Sequence, residues 1–230
     1  MSSITLTKRL SAIFELIPDG SIVSDIGTDH ALLPIKLIES GKCKKVIASD
    51  IVDGPLLSAK RNIINYGVEK NIEIVKSDGL INVTKFSPDC IVIAGMGGET
   101  ISQILSLSDY PQKSGATLIL QPMTHSEVLR RHLFENGFMI CEEKVVREDN
   151  RFYIILVARF SPLQKQTAVL SDISFELGNI TGETGECGKE YLLWRKAVTE
   201  RTLSQLERSK NQKQTEYFGL LLNEIEKRLK

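Results

Sequence analysis

The stretch Ser21-Ile-Val-Ser-Asp-Ile-Gly-Thr-Asp-His-Ala31 decides the fold. It reads as a short apolar strand ending in Asp25, a tight turn at Gly27 and the start of a helix. Open α/β sheets bind ligands at such carboxyl ends, and a glycine there lets a ligand approach the backbone. The dinucleotide signature G-x-G-x-x-G is absent. Asp29 stands where a pyrophosphate needs neutral backbone donors. A carboxylate in that turn repels phosphate and suits a cationic ligand. A D-x-G after a strand is also an ordinary βα turn, so the stretch needs company.

The flanking sequence supplies it. Leu6, Leu10, Ile13, Phe14 and Ile17 recur at helical spacing and stop before Pro18-Asp19-Gly20. A helix is expected over about 31–40, then a strand Lys45-Val-Ile-Ala-Ser-Asp50, a helix over about 55–65 and a strand over 72–78. Cys90-Ile-Val-Ile-Ala94 is a continuous apolar run, as in a strand buried on both faces. A helix over about 99–107, a strand Thr117-Leu-Ile-Leu-Gln121 and a helix from Ser126 to Gly137 follow. Phe138 to Val146 and Phe152 to Phe160 then read as an antiparallel hairpin joined by Arg147-Glu-Asp-Asn-Arg151. The sum is an α/β, Rossmann-like sheet of seven strands, mostly parallel, with the last strand antiparallel.

Ser161-Pro162 marks a boundary, dividing the chain into 1–160 and 161–230. Beyond it lie a glycine-rich turn segment, 178–188, and two helical segments, about 188–209 and 213–229. Phe218, Leu221, Leu222, Ile225 and Leu229 form one stripe of the second. The pair reads as a coiled-coil-like helical hairpin.

Three consecutive strands end in Asp25, Asp50 and Asp78, and a doubly wound sheet gathers such ends along one crevice. An acid after the second strand, Asp50 beside Ile51, can accept both hydroxyls of a ribose. Asp78 can accept from an adenine amino group, with Gly79 and Leu80 packing on the ring. Each aspartate could instead cap the next helix. A ribose, an adenine and a cationic end together describe S-adenosylmethionine (SAM). Ala94-Gly-Met-Gly-Gly98 follows the fourth strand. It is either a plain βα turn or a loop where a flat base meets the methyl donor. The Asn/Asp-Pro-Pro-aromatic turn of many amino-group methyltransferases is missing from it, which speaks against methylation of an exocyclic amine.

Composition narrows the classes. The chain has 230 residues, 42% apolar, with zero formal net charge. Nucleic acid must therefore be held by a local patch rather than a global basic field. Cys43, Cys90, Cys141 and Cys187 are scattered and form no metal or disulfide pattern, and three of the four read as buried small hydrophobes. No metal is expected. No signal segment or bilayer-spanning run is evident, and the expected location is cytoplasmic. The oligomeric state is open between a monomer and a weak dimer.

Asp25-Ile-Gly-Thr-Asp-His-Ala31 with Leu33-Pro34, Asp50-Ile-Val-Asp-Gly-Pro55, Ser77-Asp-Gly-Leu80, Ile93-Ala-Gly-Met-Gly-Gly98, Leu118-Ile-Leu-Gln-Pro122 and Arg130-Arg-His-Leu133 together resemble the bacterial tRNA (adenine-22, N1) methyltransferase family. The resemblance covers essentially the whole chain. It implies a class I SAM-dependent enzyme that methylates N1 of an adenine in the D-loop region of tRNA. Asp25, Gly27, Thr28 and His30 would then line the methionine end of SAM. Asp50 and Ile51 would hold the ribose, and Asp78, Gly79 and Leu80 the adenine. Ala94, Gly95 and Met96 would frame the meeting point of SAM and base, with Arg9, Gly97 and Gly98 on the substrate side.

Neutral adenine already carries a lone pair at N1, so catalysis is mostly positioning. The product base is cationic, and a nearby carboxylate could stabilise the developing charge. Asp29 is the candidate, with His30 orienting it; helix capping by Asp29 and turn-pinning by His30 are the competing roles. The target must be extruded from its stack. Candidate phosphate contacts are Lys8, Arg9, Arg130, Arg131, Lys189, Arg195, Lys196, Arg201 and Lys210. A small-molecule methyltransferase and a non-catalytic SAM-fold interaction protein remain the alternatives.

Overall fold

A computed structural model describes residues 4–161, 171–209 and 211–230; Pro162 and Lys210 lie outside them. The strands are β1 (Ile22–Ile26), β2 (Lys45–Asp50), β3 (Ile72–Lys76), β4 (Cys90–Gly97), β5 (Thr117–Thr124), β6 (Phe138–Glu148) and β7 (Arg151–Phe160). They form one sheet in the order β3-β2-β1-β4-β5-β7-β6. β1 to β5 pair in parallel, and β7 runs antiparallel between β5 and β6.

The period-two alternation of strand side chains assigns the two faces. Ile47, Ile91, Ile93, Leu118 and Leu120 belong to one buried cluster. Their neighbours Val46, Val92 and Ile119 belong to the other. Helices α1 (Lys8–Leu16), α2 (Leu32–Glu39) and α3 (Asp53–Asn65) supply apolar residues to the second cluster. Helices α4 (Gly98–Ser106), α5 (Tyr110–Ser114) and α6 (Ser126–Glu135) contribute to the first. Cys43 and Cys90 are buried, Cys187 is half-buried and Cys141 is exposed, so two thiols rather than three sit in the core.

The hairpin strands run longer than the sequence indicated. Asp149 and Asn150 both adopt positive φ, 48° and 61°. A two-residue turn of this kind matches the strand twist, so pairing extends to Glu148 and Arg151.

After the strands come α7 (Asp172–Leu177), α8 (Gly188–Ser209) and α9 (Gln212–Arg228). The short α7 was not anticipated. Leu177, Ile180, Tyr191, Leu192, Leu221 and Ile225 are all buried in the first cluster, together with Leu129 and Leu133 of α6. The C-terminal helices thus complete one face of the sheet.

Candidate active site

The strand order turns back between β1 and β4, which makes their carboxyl ends the switch point where such sheets bind ligands. Here the β1–α2 turn is fixed by backbone bonds. Gly27 N and Thr28 N both donate to the Ser49 carbonyl at 2.8 Å. Gly27 has φ +78°, and a Cβ there would occupy the place of the Met96 methyl group. The residue is glycine for both reasons: the left-handed turn and the approach of the β4 end.

Asp25 is buried beside this turn. Burial raises its carboxyl from 3.8 to about 6, Thr28 opposes the rise and Asp50 adds to it. The Thr28 hydroxyl, also buried, has no partner in hydrogen-bonding geometry. A buried acid beside a buried hydroxyl fits a ligand that brings a cation, as an amino-acid ammonium does.

Asp29 is 75% exposed, and His30 Nε2 lies 3.4 Å from its Oδ2. The capping role for Asp29 is not realised: α2 starts from Ala31, at φ 54°, without a side-chain cap. His30 pins the turn through its backbone, since its carbonyl accepts from Asn62 Nδ2 at 2.9 Å.

Asp50 does take a local role, with Oδ1 accepting from Val52 N at 2.8 Å at the start of α3. Among the described residues its Oδ2 has no hydrogen-bond partner. Ile51 next to it is 56% exposed. Asp78 is exposed, on a loop held by Ser77 Oγ, which accepts from Asn82 N at 3.0 Å and donates to the Gly79 carbonyl at 2.9 Å. Leu80 is buried and Gly79 packs on Ile104. Asp50 thus ends β2 and Asp78 lies two residues beyond the end of the neighbouring β3, with exposed apolar surface at Ile51 and Ile81.

The glycine segment is strand rather than free loop. β4 continues to Gly97 and β5 to Thr124, with register shifts on both sides of Met96. Gln121, wholly buried, organises this end. Its Oε1 accepts from Arg9 Nη1 at 2.7 Å and from Gly95 N at 3.2 Å. Arg9 also lies over the Tyr153 ring at 5.6 Å, and its own N–H is held by Glu148 at 2.8 Å. Arg9 is therefore a fixed cation beside the carboxyl ends of β4 and β5. Gly95, at φ +81°, is exposed. Gly98 is buried, and a Cβ on it would collide with the His125 carbonyl. Its need for glycine is packing. The signal for Gln121 was a lone polar residue closing an apolar strand, and its role was missed.

Arg130 and Arg131 are not free phosphate contacts. Arg130 is buried and bonds Glu143 and the carbonyls of Phe175 and Glu176. Arg131 pairs with Asp172 at 2.6 Å. Arg195 is held by Glu176 and Lys196 by Glu226. Lys8, Lys189 and Arg201 are exposed. Among the described residues no cluster of His, Cys, Asp or Glu could hold a metal ion.

Residues 6–156 match the family described as "Methyltransferase domain". The chain is 36% identical over 182 residues to the tRNA (adenine(22)-N(1))-methyltransferase of Bacillus subtilis, covering 79% of this chain and 75% of that protein. It superposes with TM-score 0.81 on a Streptococcus pneumoniae candidate tRNA (m1A22) methyltransferase solved with SAM, at 29% identity, covering 98% of this chain and 100% of that one. It superposes with TM-score 0.78 on M. capricolum TrmK solved with S-adenosyl-homocysteine, at 26% identity and 96% coverage of each chain.

Proposed function

This chain belongs to the tRNA (adenine(22)-N1)-methyltransferase family, and from that premise we propose how its residues methylate N1 of adenine 22 in tRNA. SAM supplies the electrophilic methyl group. The observation that carries the reading is the strand order, which puts Asp25 of β1 and Asp50 of β2 on adjacent parallel strands, Asp78 in the loop after β3, and the Ala94–Gly97 end of β4 on the other side of β1.

Asp25, with Gly27, Thr28 and His30 around the turn, takes the ammonium end. Asp50 offers Oδ2 to the ribose, and Ile51 covers it. Asp78 takes the adenine amino group, with Gly79 and Leu80 shaping the ring site. Gly95 and Met96, with Ala94 behind them, border the place where the base meets the methyl. Arg9 lies on the acceptor side, and its charge favours a phosphate or carbonyl oxygen of the RNA. Gly97 and Gly98 set the backbone of that wall.

N1 needs no base to create its lone pair. The residues hold the adenine in line with the methyl group, and a fixed alignment of reactants removes much of the barrier. Asp29 stabilises the positive charge that grows on the ring. Its exposure makes that interaction weak in water and stronger once bound RNA excludes solvent. Residues 1–160 carry the chemistry and 161–230 contribute to tRNA capture. No helix among the described residues is long and apolar enough to cross a membrane. The reading places the enzyme in the cytoplasm with its substrate, as a monomer or weak dimer.

The test is incubation with SAM and an unmodified tRNA transcript carrying adenine at position 22, beside one carrying guanine there. Digestion should yield 1-methyladenosine from the first alone. Equal methylation of free adenosine would favour a small-molecule enzyme, and failure to bind SAM a non-catalytic protein.

A further inference from the structure

Apart from the donor crevice the fold contains a cavity of about 210 Å³ at the end of β5. Its floor is the Pro122–Glu127 segment, and its wall comes from Phe152 of β7 and from Tyr191, Trp194 and Arg195 of α8. The three rings touch one another: Phe152–Tyr191 centroids are 5.7 Å apart, Phe152–Trp194 5.7 Å and Tyr191–Trp194 5.9 Å. Tyr191 is buried, but Trp194, the single tryptophan of the chain, is 48% exposed and Met123 is 43% exposed.

We propose that this cavity is a stacking site for a nucleobase next to the target adenine, with Trp194 as its platform. The inference rests on the tRNA reading of the crevice and extends it. Thr124 on the cavity floor pairs with Gly97 at the end of β4. Neighbouring strands lie about 4.8 Å apart, so the cavity opens one strand away from the segment bordering the methyl-transfer point. Extrusion of the target breaks the stack on both of its sides. A neighbouring base that loses its partner is accommodated by an aromatic face, the usual protein solution for unstacked RNA.

The volume suits one flat ring and is below the ~300 Å³ at which pockets begin to enclose larger ligands. Charge at the rim is mixed. Arg195 lines the cavity, tethered by Glu176 at 2.8 Å, and Arg147 lies over the Phe152 ring at 5.7 Å. His125 is 3.1 Å from Glu127. A neutral base is therefore a better occupant than a bare phosphate. The fixed guanidinium of Arg195 is left to face the sugar–phosphate backbone.

The lone tryptophan makes the test direct. With the full-length protein, addition of tRNA should quench Trp194 fluorescence, and SAM alone should not. Synthetic tRNA made abasic at one of the two positions flanking the target should lose that quenching. Trp194→Ala should weaken tRNA binding on the order of tenfold, leave SAM affinity and the melting temperature unchanged, and Trp194→Phe should restore most of the loss. Quenching that persists with both flanking positions abasic would overturn the proposal. So would a Trp194→Ala protein that binds tRNA normally, or one whose change is in sedimenting mass, as at a contact between copies. In each of these cases methylation of adenine 22 would still stand. A protein that methylates no tRNA removes the functional reading and this site with it.

Discussion

Arg130 of α6 donates to Glu143 of β6 across 2.9 Å, with side chains only 2% and 1% exposed. Glu143 accepts in turn from Asn179 N at 3.0 Å, and Arg130 Nη1 donates to the Phe175 carbonyl at 2.8 Å. This pair is the polar seam between the sheet and the C-terminal segment. Gly178 lies against both charged groups, where a side chain would not fit.

Arg130→Met should destabilise the protein by about 3–5 kcal/mol, because Glu143 would remain buried without its counter-charge. Replacing both residues by methionine should recover most of the loss. Urea unfolding of the two variants measures this. A single variant within ~1 kcal/mol of the parent would show that the seam is not held by the pair.

Gly98→Ala should cost about 1–3 kcal/mol, the range for forcing extra atoms into a packed site, because the new methyl meets the His125 carbonyl. Gly97→Ala is the control: the nearest atom to a Cβ there is Thr124 Oγ1 at 3.4 Å. Equal melting temperatures for the two variants would count against the packing role of Gly98.

The β1–α2 turn and the strand-end acids were legible in the sequence because each sits at a change of period, from strand to turn to helix. Asp25, Asp50 and Asp78 needed no tertiary knowledge beyond the handedness of βαβ units. Arg130 was not legible. A pair of arginines on an amphipathic helix reads as solvated, and only the position of α7 turns one of them inward. The same holds for Gln121, whose partners Arg9 and Gly95 are far from it in sequence. The extension of β4 and β5 past Ala94 and Gln121 was hidden by bulges, which break the apolar alternation.

Asp25 gives a pH dependence. Burial first, and then Asp50, raise its carboxyl to about 6 from 3.8, against the lowering effect of Thr28. Between those values the folded chain holds a proton that the unfolded chain has released. Its contribution to stability is therefore full at low pH and is lost as pH rises to about 6. A cation on the carboxylate reverses the preference. SAM affinity should fall as pH drops below about 6, toward tenfold per unit, with proton release on binding. Calorimetry in two buffers of different ionisation enthalpy measures both. An affinity constant from about pH 7 to about pH 5 would rule out Asp25 as the ammonium partner.

Asp50→Ala should weaken SAM binding by at least ~1.5 kcal/mol, the scale of a hydrogen bond to a charged group. The same substitution removes the bond to Val52 N, so thermal melting must be read beside it. A variant that melts lower yet binds SAM normally would assign Asp50 to the helix start alone.

Asp29→Asn separates charge from shape at the turn. The side chain caps no helix, and beside it lies a half-exposed histidine, His30, 3.4 Å away. Removal of its charge should leave the fold and SAM affinity within a few-fold. The single-turnover methylation rate should fall on the order of tenfold or more, as when a group aimed at developing charge is lost. His30→Ala should have a smaller effect on the rate, since toward the growing charge it acts through Asp29. Loss of SAM binding at a normal maximal rate would make Asp29 a donor-binding residue. The acceptor nitrogen would then be stabilised by positioning alone, and the Arg9–Gln121 side of the crevice would carry the burden of orientation.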